Sequence, residues 1–138
     1  MGMLRGSLAF IFLATLLFSE SMLFIANDAS GIEALSRKEL RQIYLKKRRF
    51  WKETKLVPLN LPPQNRLRQQ MEKKILTMSA SALDAYWMQE HYRGHRPPYR
   101  LESVKSMILF VKKVKGAIGY IPESQLVPGV KVLYRMPK

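Results

Sequence analysis

The sequence predicts an α/β fold in which a small, mainly parallel sheet is flanked by helices. Short apolar segments with strand character alternate with stretches whose apolar residues recur at helical spacing. Their order is strand, helix, strand, three helices and two strands, which is typical of α/β proteins. A chain of 138 residues that is 47% hydrophobic and 25% charged also suits a single globular domain.

The N-terminal segment, residues 1–21, predicts a secretory signal peptide, which leaves residues 22–138 as the domain. One cation, Arg5, precedes an uncharged apolar run that is too short to span roughly 30 Å of hydrocarbon. Small residues in Ser19–Ser21 indicate cleavage after Ser21. The predicted location is therefore the periplasm. The alternatives are an uncleaved inner-membrane anchor and a buried N-terminal helix.

The first predicted strand is Met22–Ala26, which is followed by turn-forming residues and then a helix. Ser36 and Glu39 have the spacing of a capping box at the start of that helix. Four consecutive cations, Lys46–Arg49, then precede an aromatic pair. We interpret them as the solvated end of the helix, with Trp51 covering the edge of the core. The alternative is a contact with nucleic acid or lipid.

The central unit of the chain is a strand over Leu56–Leu61, a turn marked by two prolines, and a helix. The helix is predicted from apolar residues at i, i+4, i+8 and i+11, namely Leu67, Met71, Ile75 and Met78. Its first N–H groups and positive dipole end would lie at the edge of the sheet, where they favour an anion. Asn65, Arg66 and Arg68 lie at this helix start and are the predicted anion-binding residues.

Two more helices are predicted, over Ser79–Tyr92 and Leu101–Val114. We expect Gly116 to end the second of them in a left-handed conformation. Strands over Ala117–Ile121 and Val130–Tyr134 complete the fold.

The residue types that most catalytic and metal sites need are scarce. The chain has no cysteine and two histidines, and no Gly-rich phosphate loop or G-x-G-x-x-G motif. A nucleophile, base and orienting group cannot be assembled from these residues. The sequence thus predicts no enzyme activity, no catalytic residues, no cofactor and no metal. Its net charge of +14 favours anionic partners.

Four segments together resemble the phosphate-binding periplasmic components of ABC transporters. They are Ser36–Trp51, Val57–Met71, Leu83–Trp87 and Lys115–Ile121, and the likeness extends over residues 22–134. The match is closest to the small, one-lobed relatives of that family. The resemblance implies one lobe of a class II periplasmic-binding-protein-like fold, with a role in phosphate transport or sensing.

In the full-length family, two lobes close on phosphate, and a Gly-Ser-Gly-Thr-Arg turn at a helix start holds the anion. Aligned without gaps, that turn falls on Gln64–Arg68, where Arg68 is retained and Asn65 stands at the position of the serine. The resemblance thus implies a small oxyanion, phosphate or sulfate, as ligand. It also implies a membrane transporter or sensor protein as partner.

Two other functions are consistent with the charge pattern. One is a cell-envelope interaction module that docks on a membrane protein or anionic lipid through Lys46–Arg49 and Lys112–Lys115. The other is nucleic-acid binding, which the export signal disfavours and no motif supports. We therefore expect no nucleic-acid partner.

Overall fold

The computed structural model describes residues 20–137. The predicted signal peptide lies outside these residues, apart from Glu20 and Ser21. The strands are β1 (Met22–Asn27), β2 (Phe50–Trp51), β3 (Thr54–Lys55), β4 (Val57–Asn60), β5 (Tyr99–Arg100), β6 (Ala117–Pro122) and β7 (Val130–Arg135). The α-helices are α1 (Arg37–Tyr44), α2 (Arg66–Met71), α3 (Ala80–Tyr92) and α4 (Val104–Lys113).

Five strands form one sheet in the order β5-β4-β6-β1-β7. β4 is parallel to both β5 and β6, whereas β1 is antiparallel to β6 and β7. Four of the five strands therefore share one direction. This confirms the predicted α/β class with a mainly parallel sheet. β2 and β3 form a separate antiparallel hairpin.

Helices cover the sheet on both faces, as strand alternation shows on β6. Gly119 faces α4, where an added Cβ would lie 2.7 Å from Met107 Cγ. The next residue, Tyr120, points to the opposite face, where its ring lies 6.2 Å from that of Tyr44 in α1. The core lies between these layers, and residues 22–26 of β1 are fully buried.

The starts predicted at Ser36 and Ser79 are confirmed by their caps, whereas α4 begins at Val104, with Ser103 as its N-cap, and not at the predicted Leu101. Ser36 Oγ accepts from Glu39 N–H at 3.1 Å, and Glu39 Oε1 accepts from Ser36 N–H at 3.2 Å, which forms the capping box. Ser79 caps α3 by accepting from the N–H of Ala82. At its other end, α4 is held by Asn27, whose amide donates to two of its last carbonyls.

The helix after the central turn is shorter than predicted. α2 ends at Met71 and continues as one π-helical turn, Glu72–Leu76. Thr77 then adopts a left-handed conformation with φ 55°, so Met78 lies beyond the helix. The wider π turn breaks the 3.6-residue period, and for this reason the extrapolation to Met78 was wrong.

The prediction for Gly116 was also wrong. α4 ends at Lys113, Val114 is extended, and Gly116 is not among the glycines with positive φ. Gly116 instead permits a close backbone approach, since an added Cβ would lie 1.9 Å from the carbonyl oxygen of Lys55.

Within residues 20–137, none of the helices combines the length and the apolar character that crossing a membrane requires.

Candidate functional site

The carboxyl ends of β4 and β5 meet at one edge of the sheet. Asn60 ends β4 and Arg100 ends β5, and the two residues are paired across the parallel ladder. In open α/β sheets, ligands bind outside the carboxyl ends of the strands. This edge is therefore the expected position of a ligand-binding site.

Two buried tyrosines fix the end of β4. The single proton of Tyr44 Oη is shared between the carbonyl oxygens of Leu59 and Ile118, which lie 2.9 and 3.2 Å from Oη. Tyr120 Oη donates to Asn60 Oδ1, and the N–H of Leu61 donates to Tyr120 Oη at 3.1 Å. Burial raises the pKa of both tyrosines. Both hydroxyls therefore stay protonated and act as hydrogen-bond donors.

A cleft of about 310 Å³ opens at this edge. Its walls come from the end of β4, the start of α2, the α3 helix and the loop that leads into β5. It is lined by Tyr44, Asn60, Pro63, Arg68, Leu76, Leu83, Asp84, Trp87, Pro97, Pro98 and Arg100. We call it the β4–β5 cleft.

Asn60 offers its amide nitrogen to this cleft. The backbone N–H of Leu61 donates to Asn60 Oδ1 at 3.0 Å, so the atom at that position must be the oxygen. Nδ2 is then the other atom of the amide, and it has no hydrogen-bond partner within residues 20–137. Because no fully buried side-chain polar atom there lacks a partner, Nδ2 is at least slightly accessible, and Asn60 lines the cleft.

Arg68 is held in place by two contacts within the fold. Its Nη1 donates to the carbonyl of Leu61 at 2.8 Å, and its Nε donates to Glu72 Oε1 at 2.6 Å. The side chain is 19% exposed. A guanidinium has five N–H donors, so the Nη2 group is left for another acceptor. Arg68 is thus a pre-positioned cation whose charge is partly balanced by Glu72.

Arg100 and Asp84 contribute opposite charges to the cleft. Arg100 is half-exposed and approaches Glu102 at 3.5 Å, a distance too long for a strong ion pair. Asp84 is exposed on α3 and makes no ion pair within the described residues. The cleft therefore has two arginines, one carboxylate and the Asn60 amide on its walls.

The three residues predicted from sequence do not converge. Arg68 lines the β4–β5 cleft, whereas Asn65 and Arg66 do not. Asn65 is the N-cap of α2, and its Oδ1 accepts from the N–H of Leu67 at 2.8 Å. Arg66 is exposed at the first position of α2.

Comparison with known proteins identifies the fold through solved structures. No protein-family model and no curated protein matches the chain. An ABC-type phosphate transport receptor from Vibrio cholerae superposes with a TM-score of 0.66 at 16% identity, covering 83% of this chain and 45% of that one. The chain is thus similar in fold to one lobe of the phosphate receptors of ABC transporters. This confirms the resemblance inferred from sequence.

Two further structures agree with this assignment. A phosphate ABC transporter substrate-binding protein from Clostridium perfringens, solved with bound phosphate, gives a TM-score of 0.67 at 18% identity. PstS from Borrelia burgdorferi gives 0.64 at 13% identity. Each match covers 83% of this chain and 44% or 46% of the other. The chain thus spans less than half the length of these receptors.

Sequence reasoning missed three cleft residues, Asn60, Asp84 and Arg100. A polar residue at the end of an apolar strand was the available signal for Asn60. Arg100 belongs to a two-residue strand, which is too short to show a period. Asp84 lies on α3, which was interpreted from its aromatic residues.

Proposed function

We propose that this chain is an exported, non-enzymatic solute-binding-like domain that takes a small oxyanion in the β4–β5 cleft. The main support for the proposal is that Arg68, Arg100 and Asn60 line one cleft at the carboxyl edge of the sheet. Arginine suits tetrahedral oxyanions because its planar fork can donate two parallel hydrogen bonds. The fold supports it, since the similar Clostridium perfringens structure holds phosphate.

The domain offers one wall of a binding site rather than a closed pocket. Tight sites surround most of a ligand, and this cleft is open. We therefore expect modest affinity, with a Kd below about 1 mM, which corresponds to about −4 kcal/mol. A role in phosphate transport or sensing would then involve a membrane transporter or sensor protein that completes the site.

The direct test is calorimetric titration of residues 22–138 with phosphate and with sulfate at about 0.15 M ionic strength, where exposed charges are screened. Saturable heat at submillimolar phosphate is the expected result. Absence of heat up to several millimolar of either anion would refute oxyanion binding by the isolated domain.

Because Asp84 lines the cleft, we expect the domain to bind phosphate more tightly than sulfate. At neutral pH, phosphate carries a P–OH group that can donate to a carboxylate, whereas sulfate has no proton to donate. Asp84→Asn should remove the like-charge repulsion against sulfate and so bring the two affinities within about threefold of each other. Parallel titrations of both anions into the two proteins measure this. Glu102→Gln, which removes a carboxylate that does not line the cleft, is the matched control and should keep the preference.

The predicted residues Asn65 and Arg66 remain part of the proposal as contributors at the start of α2. The Asn65 amide nitrogen can donate while its oxygen caps the helix, and Arg66 is exposed two residues before Arg68. Alanine substitution at each position, measured by the same titration, tests these two roles separately.

A second candidate function is a cell-envelope interaction module that docks on a membrane protein or anionic lipid. The contact of Arg68 with Glu72 at 2.6 Å favours it, because a neutralised arginine attracts a small anion less. Co-sedimentation with anionic vesicles and pull-down from membranes separate the two functions. The interaction module is supported if the domain binds membranes or a membrane protein and gives no heat on titration with phosphate or sulfate.

A further inference from the structure

A second basic site lies outside the β4–β5 cleft, where the end of α1 faces the loop between α3 and β5. This depression has a volume of about 250 Å³, and its cations are Lys46, Arg48, Arg49, Lys55 and Arg96. We call it the basic basin. It shares no lining residue with the β4–β5 cleft.

The chain after α1 is folded back, so the cations of the basin are not on a free tail. Lys46 has a left-handed backbone with φ 58°, which is uncommon for a residue with a side chain. The N–H groups of Lys47 and Arg48 both donate to the carbonyl of Gln42, at 2.8 and 3.1 Å. Arg49 is anchored through its carbonyl, which accepts from the N–H of Leu56 at 2.8 Å.

The indole of Trp51 helps to orient one wall. The guanidinium of Arg48 lies 4.6 Å from the centre of the Trp51 ring, which is within cation–π range. Trp51 Nε1 donates to the carbonyl of Gly31 at 3.2 Å. Arg48 also pairs with Glu39 at 3.0 Å. One of the five cations is thus already paired and stacked.

The other four cations make no ion pair within residues 20–137, and no carboxylate lines this depression. The pKa of Lys46 is lowered by burial, and further by the charges of Arg49 and Lys55. Like charges held together in this way repel one another, and a bound anion would relieve that repulsion.

Glu90, a carboxylate outside the basin whose pKa is lowered in part by Arg49, already has other partners. Glu90 pairs with His95 at 2.5 Å and with Arg93 at 3.5 Å. Its pKa is lowered, chiefly because of the hydrogen bond with His95 and then because of nearby cations. Glu90 therefore balances part of the charge of Arg49 at a distance, but its ion pairs are with Arg93 and His95 and not with a basin cation.

From this geometry we infer that the basic basin binds a small soluble ligand with two or more linked phosphoryl groups. Several cations around one concavity match several negative charges at short spacing, which a carboxylate or a single phosphate cannot supply. The floor includes the side chains of Ile43, Leu56 and Pro58, and low-dielectric walls strengthen the field inside. A lipid headgroup offers the same phosphoryl chemistry, but the concave shape favours a ligand that enters whole.

Titration with inorganic tripolyphosphate tests this site. The double variant Lys46→Gln/Arg49→Gln should bind it at least tenfold more weakly than the unaltered protein. The matched control is Lys112→Gln/Lys113→Gln, which removes the same charge from the exposed end of α4 and should change the affinity by less than about twofold. Equal losses in the two double variants would mean that net charge alone attracts the ligand, and would overturn the proposal.

A second set of variants keeps the result interpretable. Arg96→Glu changes the opposite wall of the basin and should also weaken tripolyphosphate binding at least tenfold, which covers the case in which the double variant is poorly folded. Arg68→Ala should leave tripolyphosphate binding unchanged. If Arg68→Ala abolishes it, the ligand sits in the β4–β5 cleft and the basin is not the site.

Vesicles distinguish the two sources of phosphoryl groups. We expect phosphatidylglycerol vesicles to compete poorly with tripolyphosphate, and the basin variants to co-sediment with them as the unaltered protein does. The opposite result has two parts: the unaltered protein binds vesicles but not tripolyphosphate, and Lys46→Gln/Arg49→Gln loses the vesicle binding. This result would assign the basin to a membrane surface and overturn the soluble-ligand proposal.

Discussion

Replacing Arg68 with alanine is expected to weaken phosphate binding to the β4–β5 cleft by about 10- to 100-fold. Hydrogen bonds to a charged group contribute about 1.5–3 kcal/mol, and 1.4 kcal/mol corresponds to a tenfold change in affinity. Arg68 is already oriented by Leu61 and Glu72, so little entropy is lost when it engages an anion. Calorimetric titration of the variant with phosphate measures the effect.

The control for this experiment must separate a specific contact from the field of a protein with net charge +14. Lys113→Ala removes the same charge from the exposed end of α4, and Lys113 does not line the cleft. We expect it to weaken binding by less than about threefold. Similar losses in the two variants would contradict a site centred on Arg68. Urea unfolding of both proteins checks that each is folded.

The same geometry predicts a variant that binds better. Glu72→Gln keeps an oxygen that can accept from Arg68 Nε but removes the charge that balances the guanidinium. Phosphate affinity should therefore rise by several-fold at about 0.15 M ionic strength. A fall in affinity would indicate that Glu72 holds Arg68 in a conformation that glutamine cannot maintain.

Most of the fold was predictable because its main segments carry strong periodic or capping signals. Met22–Ala26 is an uninterrupted apolar run, and the Ser36 capping box lies at the start of α1. The hairpin of β2 and β3 and the strand β5 were missed, since strands of two residues are too short to show a period. The π turn after Met71 and the backbone contact at Gly116 depend on packing between distant segments, which local patterns do not encode.

The candidate site was predicted less well than the fold. Of the three predicted residues, Arg68 is the one that lines the cleft. The prediction rests on the local order of strand, turn and helix, which places the start of α2 at the end of β4. Asn60 and Arg100 are 40 positions apart and meet through parallel pairing. Asp84 reaches the same cleft from a third segment. Their convergence follows from the sheet order, which the sequence alone did not specify.

Gly116→Ala is expected to destabilise the domain by about 3 kcal/mol, the upper part of the range for overpacking. A Cβ at this position would lie 1.9 Å from the carbonyl oxygen of Lys55 and 3.3 Å from Thr54 Cγ2. The backbone cannot move aside easily, because the carbonyl of Gly116 accepts from the N–H of Val57 at 2.8 Å. That bond lies where β4 begins to pair with β6.

Urea denaturation of both proteins, followed by the fluorescence of Trp51 and Trp87, measures this loss. Gly119→Ala is the matched comparison, because its Cβ would contact the Met107 side chain rather than a backbone carbonyl. A methionine side chain has three rotatable bonds and can shift, so the loss should be smaller than for Gly116→Ala. If Gly116→Ala unfolds at the same urea concentration as the unaltered protein, β3 and β6 do not approach each other as closely as described.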